Sequence, residues 1–195
     1  MKAIAKVCLV AATIGSLAAT NADAQVRGIL GAGLSVPVGD FADEAVGGAK
    51  AGGGTALIGA EWLPAGRTLG LRLDGNVSQF CTTACDASGG ELDIKYQVLN
   101  ANLSGLLELP MRAAPRVRPY LLAGVGIYHH KLRGDDVPST ADDSQTDFGV
   151  SGGLGFNFDV GRFGLFVEGR FHNVFADGAD LQYIPVTVGL RLGGR

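Results

Sequence analysis

Cysteine, basic residues and long apolar runs are all scarce in this sequence, and each shortage removes a class of protein. Only three cysteines occur: Cys8 near the N-terminus, and Cys81 and Cys85 in the run C-T-T-A-C. With no His or further Cys beside that pair, a structural zinc site lacks its ligands. In an exported chain the pair favours a small disulfide staple, with free thiols or a metal pair as alternatives. Lys and Arg number 16 against 19 Asp and Glu, so a nucleic-acid partner is disfavoured. The one apolar run, Val7 to Ala19, is rich in alanine and shorter than the ~20 residues a spanning helix needs. Any crossing of a membrane therefore falls to strands.

That run belongs to a targeting segment. Lys2 and Lys6 supply its charge, Val7 to Ala19 its apolar stretch, and Ala22-Asp23-Ala24 a small-x-small cleavage site. The expected division is a signal peptide at 1–24 and a single domain at 25–195. Cys8 lies inside the apolar stretch and away from the cleavage boundary, which argues against a lipoprotein. Glycine is abundant, at 31 residues, without proline-rich or low-complexity tracts, so disorder is not implied.

Period-two alternation is the strongest feature present. From Thr146 to Val174, Phe148, Val150, Gly152, Leu154, Phe156 and Phe158 share one phase, and Phe163, Leu165, Val167, Gly169 and Phe171 continue it after a very short turn. The opposite phase is glycine, serine and isolated charge. Each arm is about a dozen residues, roughly twice the usual soluble strand. Further strands are expected at Val26 to Val36, Ala51 to Leu63, Thr68 to Phe80, Leu92 to Leu109, from Arg116 through Tyr128, and around Ile184 to Leu192. The fourth changes parity between Tyr96-Val98 and Leu99-Ala101-Leu103, and a bulge near Val98-Leu99 would reconcile the two.

The count is eight, with short links after strands two, four and six and longer, acidic links after one, three, five and seven. That predicts an eight-stranded, antiparallel, up-and-down transmembrane β-barrel with short periplasmic turns and longer extracellular loops. A soluble barrel has the inverse arrangement, with an apolar lumen and a Lys/Glu/Gln/Thr exterior. Here the polar phase is glycine with scattered ions, which suits a crowded interior better than a solvent face. Aromatics at Trp62, Phe158 and Phe163 near the turn end, and Tyr96, Phe148 and Phe171 near the loop end, form a thin girdle. From Val26 to Leu192 the chain resembles the small outer-membrane β-barrel family of OmpA/OmpX-like proteins. The resemblance rests on P-Y-L-L-A-G-V-G-I-Y (Pro119 to Tyr128), V-E-G-R-F-H (Val167 to His172) and Y-I-P-V-T-V-G-L-R-L (Tyr183 to Leu192). It implies an outer-membrane location, with membrane lipid and the outer-membrane assembly machinery as partners. The family's usual terminal aromatic is replaced here by Leu192-Gly193-Gly194-Arg195.

The polar-phase ions are Glu61, Arg72, Asp74, Glu108, Arg118, Glu168, Arg170, His172 and Arg191. In a narrow lumen such charges must pair or stay hydrated, so an internal Glu/Arg network that plugs the barrel is expected, with a narrow porin-like channel as the alternative. His172 invites comparison with the outer-membrane barrels that are lipid A acylhydrolases, which carry a Ser two residues after the His and a downstream carboxylate, whereas no Glu follows Glu168 here. Position 174 is Val, and without a nucleophile the triad logic fails. No catalytic residue, cofactor or metal site is therefore assigned. His129 and His130 read as rim residues. Asp135, Asp136, Asp142 and Asp143 form a solvated acidic loop, which could recruit divalent cations or a basic extracellular partner.

Overall fold

The computed structural model describes residues 24–42, 52–81, 95–111, 116–133, 144–160, 163–176 and 180–193. Eight strands run through them: β1 (Ala24–Val38), β2 (Gly53–Pro64), β3 (Leu69–Cys81), β4 (Lys95–Glu108), β5 (Val117–Arg133), β6 (Ser144–Val160), β7 (Phe163–Val174) and β8 (Leu181–Leu192), with one 3-10 turn at Gly39–Ala42 after β1. Each strand pairs antiparallel with its neighbours in sequence, and β8 returns to β1 to close the barrel. Closure leaves no open sheet edge, the condition a β-structure must meet in hydrocarbon.

Alternation determines which face each residue takes. Along β7, Phe163, Leu165, Val167 and Phe171 point outward and are exposed, whereas Phe166, Glu168, Arg170, His172 and Val174 point inward and are buried. The same division holds on β3, with Leu69, Leu71 and Leu73 outside and Arg72, Asp74, Asn76 and Ser78 inside. The wall is thus apolar outside and polar inside, the reverse of a water-soluble barrel. Lipid exposure makes the outer face depth-sensitive. Val125, near the middle of the outward run Pro119 to Ile127, is expected to cost about 2 kcal/mol as Val125→Lys, while Leu69→Lys at the turn end costs under about 1 kcal/mol. Urea titration in lipid vesicles checks this, and equal costs at the two depths would contradict a lipid-facing wall.

Two sequence expectations are corrected. No bulge separates Val98 from Leu99: β3 and β4 pair without interruption from Leu69↔Leu107 to Cys81↔Lys95, and β4 and β5 from Glu108↔Tyr120 to Lys95↔Arg133. Tyr96 and Val98 keep the inward phase, and Leu99, Ala101 and Leu103 the outward one. The parity change was one of chemistry, because the loop end of the lumen is apolar. There Phe41, Phe80, Val98, Tyr128, Val174, Leu181 and Tyr183 pack together, with Tyr96 against them. Tyr96 therefore does not belong to the outer girdle. Phe41, carried inward by the 3-10 turn, meets Phe80 edge-on at 5.1 Å and Tyr96 at 5.4 Å. Trp62, Phe148, Phe158, Phe163 and Phe171 do lie on the outer face.

At the turn end the links are tight. Gly66 adopts φ 70°, a left-handed conformation open to glycine at little steric cost, and the Arg67 N–H donates to the Pro64 carbonyl at 3.1 Å. Cys81 is the last residue of β3, but its side chain and the whole of Cys85 lie outside the described residues, as do Asp135, Asp136, Asp142 and Asp143.

Candidate functional site

The lumen is filled in levels. Nearest the turns lies a layer of ions drawn, with its rim, from all eight strands. Glu108 of β4 accepts from Arg27 of β1 at 2.8 Å and from Arg191 of β8 at 2.9 Å. Arg191 also donates to Glu61 of β2 at 2.7 Å. Arg72 of β3 donates to Glu168 of β7, and its Nε lies 3.1 Å from Asp74. Arg170 of β7 reaches back across the barrel to both oxygens of Asp74 at 3.1 Å. Most of these are not adjacent strands, so the pairs cross the lumen instead of decorating a wall. At the rim, half-buried Arg118 binds Asp159 at 2.7 Å and lies 3.8 Å from Glu108.

Five arginines (Arg27, Arg72, Arg118, Arg170, Arg191) thus face five carboxylates (Glu61, Asp74, Glu108, Asp159, Glu168). Aromatic rings complete their surroundings. The Tyr120 hydroxyl donates to Glu168 at 2.8 Å, and the Arg191 guanidinium carbon sits 4.9 Å from the centre of the Tyr120 ring. Arg72 lies 5.9 Å from the centre of Phe166. Charge balance and shared hydrogen bonds are what allow such a layer to stay ionised out of water.

A neutral polar level comes next. Ser35, Thr55, Asn76 and Ser78 bond to one another at 2.9–3.1 Å. Asn102 donates to Asn100, and Asn100 to the Tyr183 hydroxyl, at 2.7 and 2.8 Å. The Tyr128 hydroxyl donates to Asn102 at 2.8 Å, so the Nδ1 of His172, 2.9 Å away, is left as a donor to that oxygen. The His172 ring stacks on Tyr183 at 4.8 Å with planes 3° apart. Above lies the apolar cluster already described.

The nine ions expected from the sequence are all lumenal or at its rim, but His172 stands apart from the arginine layer, between two tyrosines. It does not face lipid; Ser151 lies opposite it on the β6–β7 ladder with a buried hydroxyl that bonds no partner among the described residues, and Val174, two residues on, is fully buried in the apolar cluster. His129 and His130 do not converge. As neighbours on a strand they take opposite faces: His129 is exposed and 2.9 Å from Thr146, while His130 is buried, stacked on Tyr96 and 3.5 Å from Asp147. Sequence reasoning missed Arg27 and Asp159. Asp159 shares parity with Asn157 and could have been read from that alternation. Arg27 sits where Gly28, Gly31 and Gly33 blur the period, next to the expected cleavage site.

A closed antiparallel barrel with an apolar exterior and an ionic lumen defines a transmembrane barrel of the outer-membrane class. Residues 8–193 match the profile of the outer membrane protein beta-barrel domain, and the chain belongs to that family. It is an outer-membrane protein. Solved structures share its fold at low identity. Neisserial surface protein A has a TM-score of 0.58 at 14% identity, covering 88% of this chain and 97% of its own. A major outer membrane protein from Thermus thermophilus has 0.52 at 16%, covering 88% and 99%. Ail, the attachment invasion locus protein of Yersinia pestis, solved with the heparin analogue sucrose octasulfate, has 0.51 at 13%, covering 87% and 99%. No curated protein sequence matches the chain.

Proposed function

We propose that the protein is a closed, non-conducting outer-membrane barrel that contributes to envelope integrity and surface binding, its acidic loops facing outward and residues 1–24 removed on export. The observation that carries this reading is the ion layer: Arg27–Glu108, Arg191–Glu61, Arg72–Glu168 and Arg170–Asp74 join strands across the bore. An eight-stranded barrel has an interior that side chains just fill, and here those side chains bond to one another. A channel would have to break several buried ion pairs and then pass the Phe41–Phe80–Tyr183 cluster. A lipid-modifying enzyme would need its His bonded to a nucleophile within reach of lipid, whereas His172 bonds Tyr128 inside the lumen and Ser151, opposite it, is buried there with its hydroxyl unbonded.

Ail supports the surface-binding half only as a barrel of similar fold solved with a ligand. That ligand is a polyanion. The long links of the present chain carry Asp135, Asp136, Asp142 and Asp143 among other acids, so the charge that fits them is positive, as on a divalent cation or a basic protein patch. Planar-bilayer recording tests the closed lumen. The purified protein is expected to give no unitary steps at any voltage, and reproducible steps that Arg72→Ala enlarges would overturn the closed reading in favour of a narrow channel.

A further inference from the structure

The two ends of the barrel differ in charge by more than loop length. The longer links, 39–52, 82–94, 134–143 and 175–180, carry acidic residues and a single cation, Lys50. The three short links contain arginine and neither Lys, Asp nor Glu: Arg67 in Pro64 to Thr68, Arg112 and Arg116 between Leu109 and Arg116, and Arg162 at 161–162. Arg67 and Arg116 are described by the structure, and both are exposed. Neither side chain has an ion-pair partner among the described residues, and Asp159, the carboxylate at this rim, is already held by Arg118.

Their surroundings indicate what would pair with them. Arg67 lies between lipid-facing Trp62, 44% exposed, and Leu69, 66% exposed. Arg116 accepts the Asp159 N–H on its carbonyl at 2.9 Å, which sets it beside lipid-facing Phe158, while exposed Leu109 and Met111 lie at the start of the same link. Free guanidinium groups placed just past the last apolar residues of a spanning wall sit at headgroup depth, where Trp also anchors. A guanidinium fork matches phosphate geometry in a way that an ammonium does not. A soluble polyanion would not need the flanking Trp, Leu and Phe.

We propose that Arg67 and Arg116 bind the phosphodiester groups of anionic glycerophospholipids in the inner leaflet of the outer membrane, so that the turn end holds a small annulus of such lipids. The leaflet assignment rests on the reading that the short turns are periplasmic. The test is native mass spectrometry of the full chain released from phosphatidylcholine vesicles containing a minor share of phosphatidylglycerol. Wild type should retain phosphatidylglycerol several-fold above its share. Arg67→Gln with Arg116→Gln should bring retention to that share while heat-modifiable gel mobility stays unchanged, and Lys131→Gln, at the loop end, should not alter it. The proposal is overturned if wild type shows no enrichment, if the double variant keeps it, or if Lys131→Gln abolishes it. Orientation is read separately. Ala65→Cys in intact cells should stay unlabelled by an impermeant maleimide, and labelling would overturn the inner-leaflet placement while leaving the phospholipid measurement standing.

Discussion

Arg72→Met is expected to destabilise the barrel by about 3–5 kcal/mol, the range for breaking a buried ion pair by removing one partner. Arg72 is almost fully buried and lies within salt-bridge distance of three carboxylates, Glu168, Asp74 and Glu61. Methionine keeps the stem and removes the charge, so these carboxylates then face one another with Arg170 and Arg191 as the nearest cations. Arg170 is already bonded to Asp74 and Arg191 to Glu61 and Glu108, so neither can move without abandoning a partner. Adding Glu168→Gln should recover part of the loss, because it removes the carboxylate that Arg72 served most directly. Urea unfolding followed by the fluorescence of Trp62, the sole tryptophan in the sequence, measures both. A loss below about 1 kcal/mol would mean that the layer is hydrated and weakly coupled.

Gly155→Val is expected to cost about 3 kcal/mol or more, at the upper end of overpacking effects. A Cβ at Gly155 would stand 2.3 Å from the Tyr120 ring and 2.7 Å from the Val167 carbonyl oxygen. The ring cannot swing away freely, since its hydroxyl bonds Glu168 and its face meets Arg191. The carbonyl belongs to the β6–β7 ladder and has less freedom still. Gly169→Val is the control. It lies on β7 with nothing within 4 Å of its Cβ position, and valine there should be neutral or mildly stabilising, as a β-branched residue in an outward strand position. Gel mobility and urea midpoints compare the two, and similar outcomes would contradict the packing described for the lumen.

These two residues also show how far the sequence could be read. The strands, their phases and the alternation of short and long links were legible because a membrane barrel imposes period two on every spanning segment and leaves few exceptions. Glu61, Arg72, Asp74, Glu108, Glu168, Arg170 and Arg191 could be placed inside from parity alone. Parity does not say who meets whom. The Arg72–Glu168 and Arg170–Asp74 pairs link residues 96 apart in sequence, and their meeting depends on the stagger of strands around the barrel, which no local pattern encodes. The glycines of the inward phase were visible as a bias, but the reason for Gly155, the Tyr120 ring lying over it, is a cross-strand fact. The bulge expected at Val98-Leu99 came from assuming a uniformly polar lumen. The apolar cluster under Phe41 shows that the interior changes character along its axis, so an inward strand position can be valine or phenylalanine without any slip in register.

The pairing of β1 with β8 gives the chain an unusual relation to time. Ala24–Val38 bonds on one side to β2, its near neighbour, and on the other to Leu181–Leu192, the last strand of the chain. Until synthesis and export reach β8, β1 carries a row of unsatisfied N–H and C=O groups, each worth several kcal/mol if placed in hydrocarbon. Seven strands inserted without the eighth would expose two such rows, on β1 and β7. Entry into the bilayer and ring closure are therefore one event for this protein, and the earlier strands must wait in a polar setting or in the grip of a helper until the last one arrives. The unit that folds is the whole circle, and its closing contact joins the two ends of the barrel.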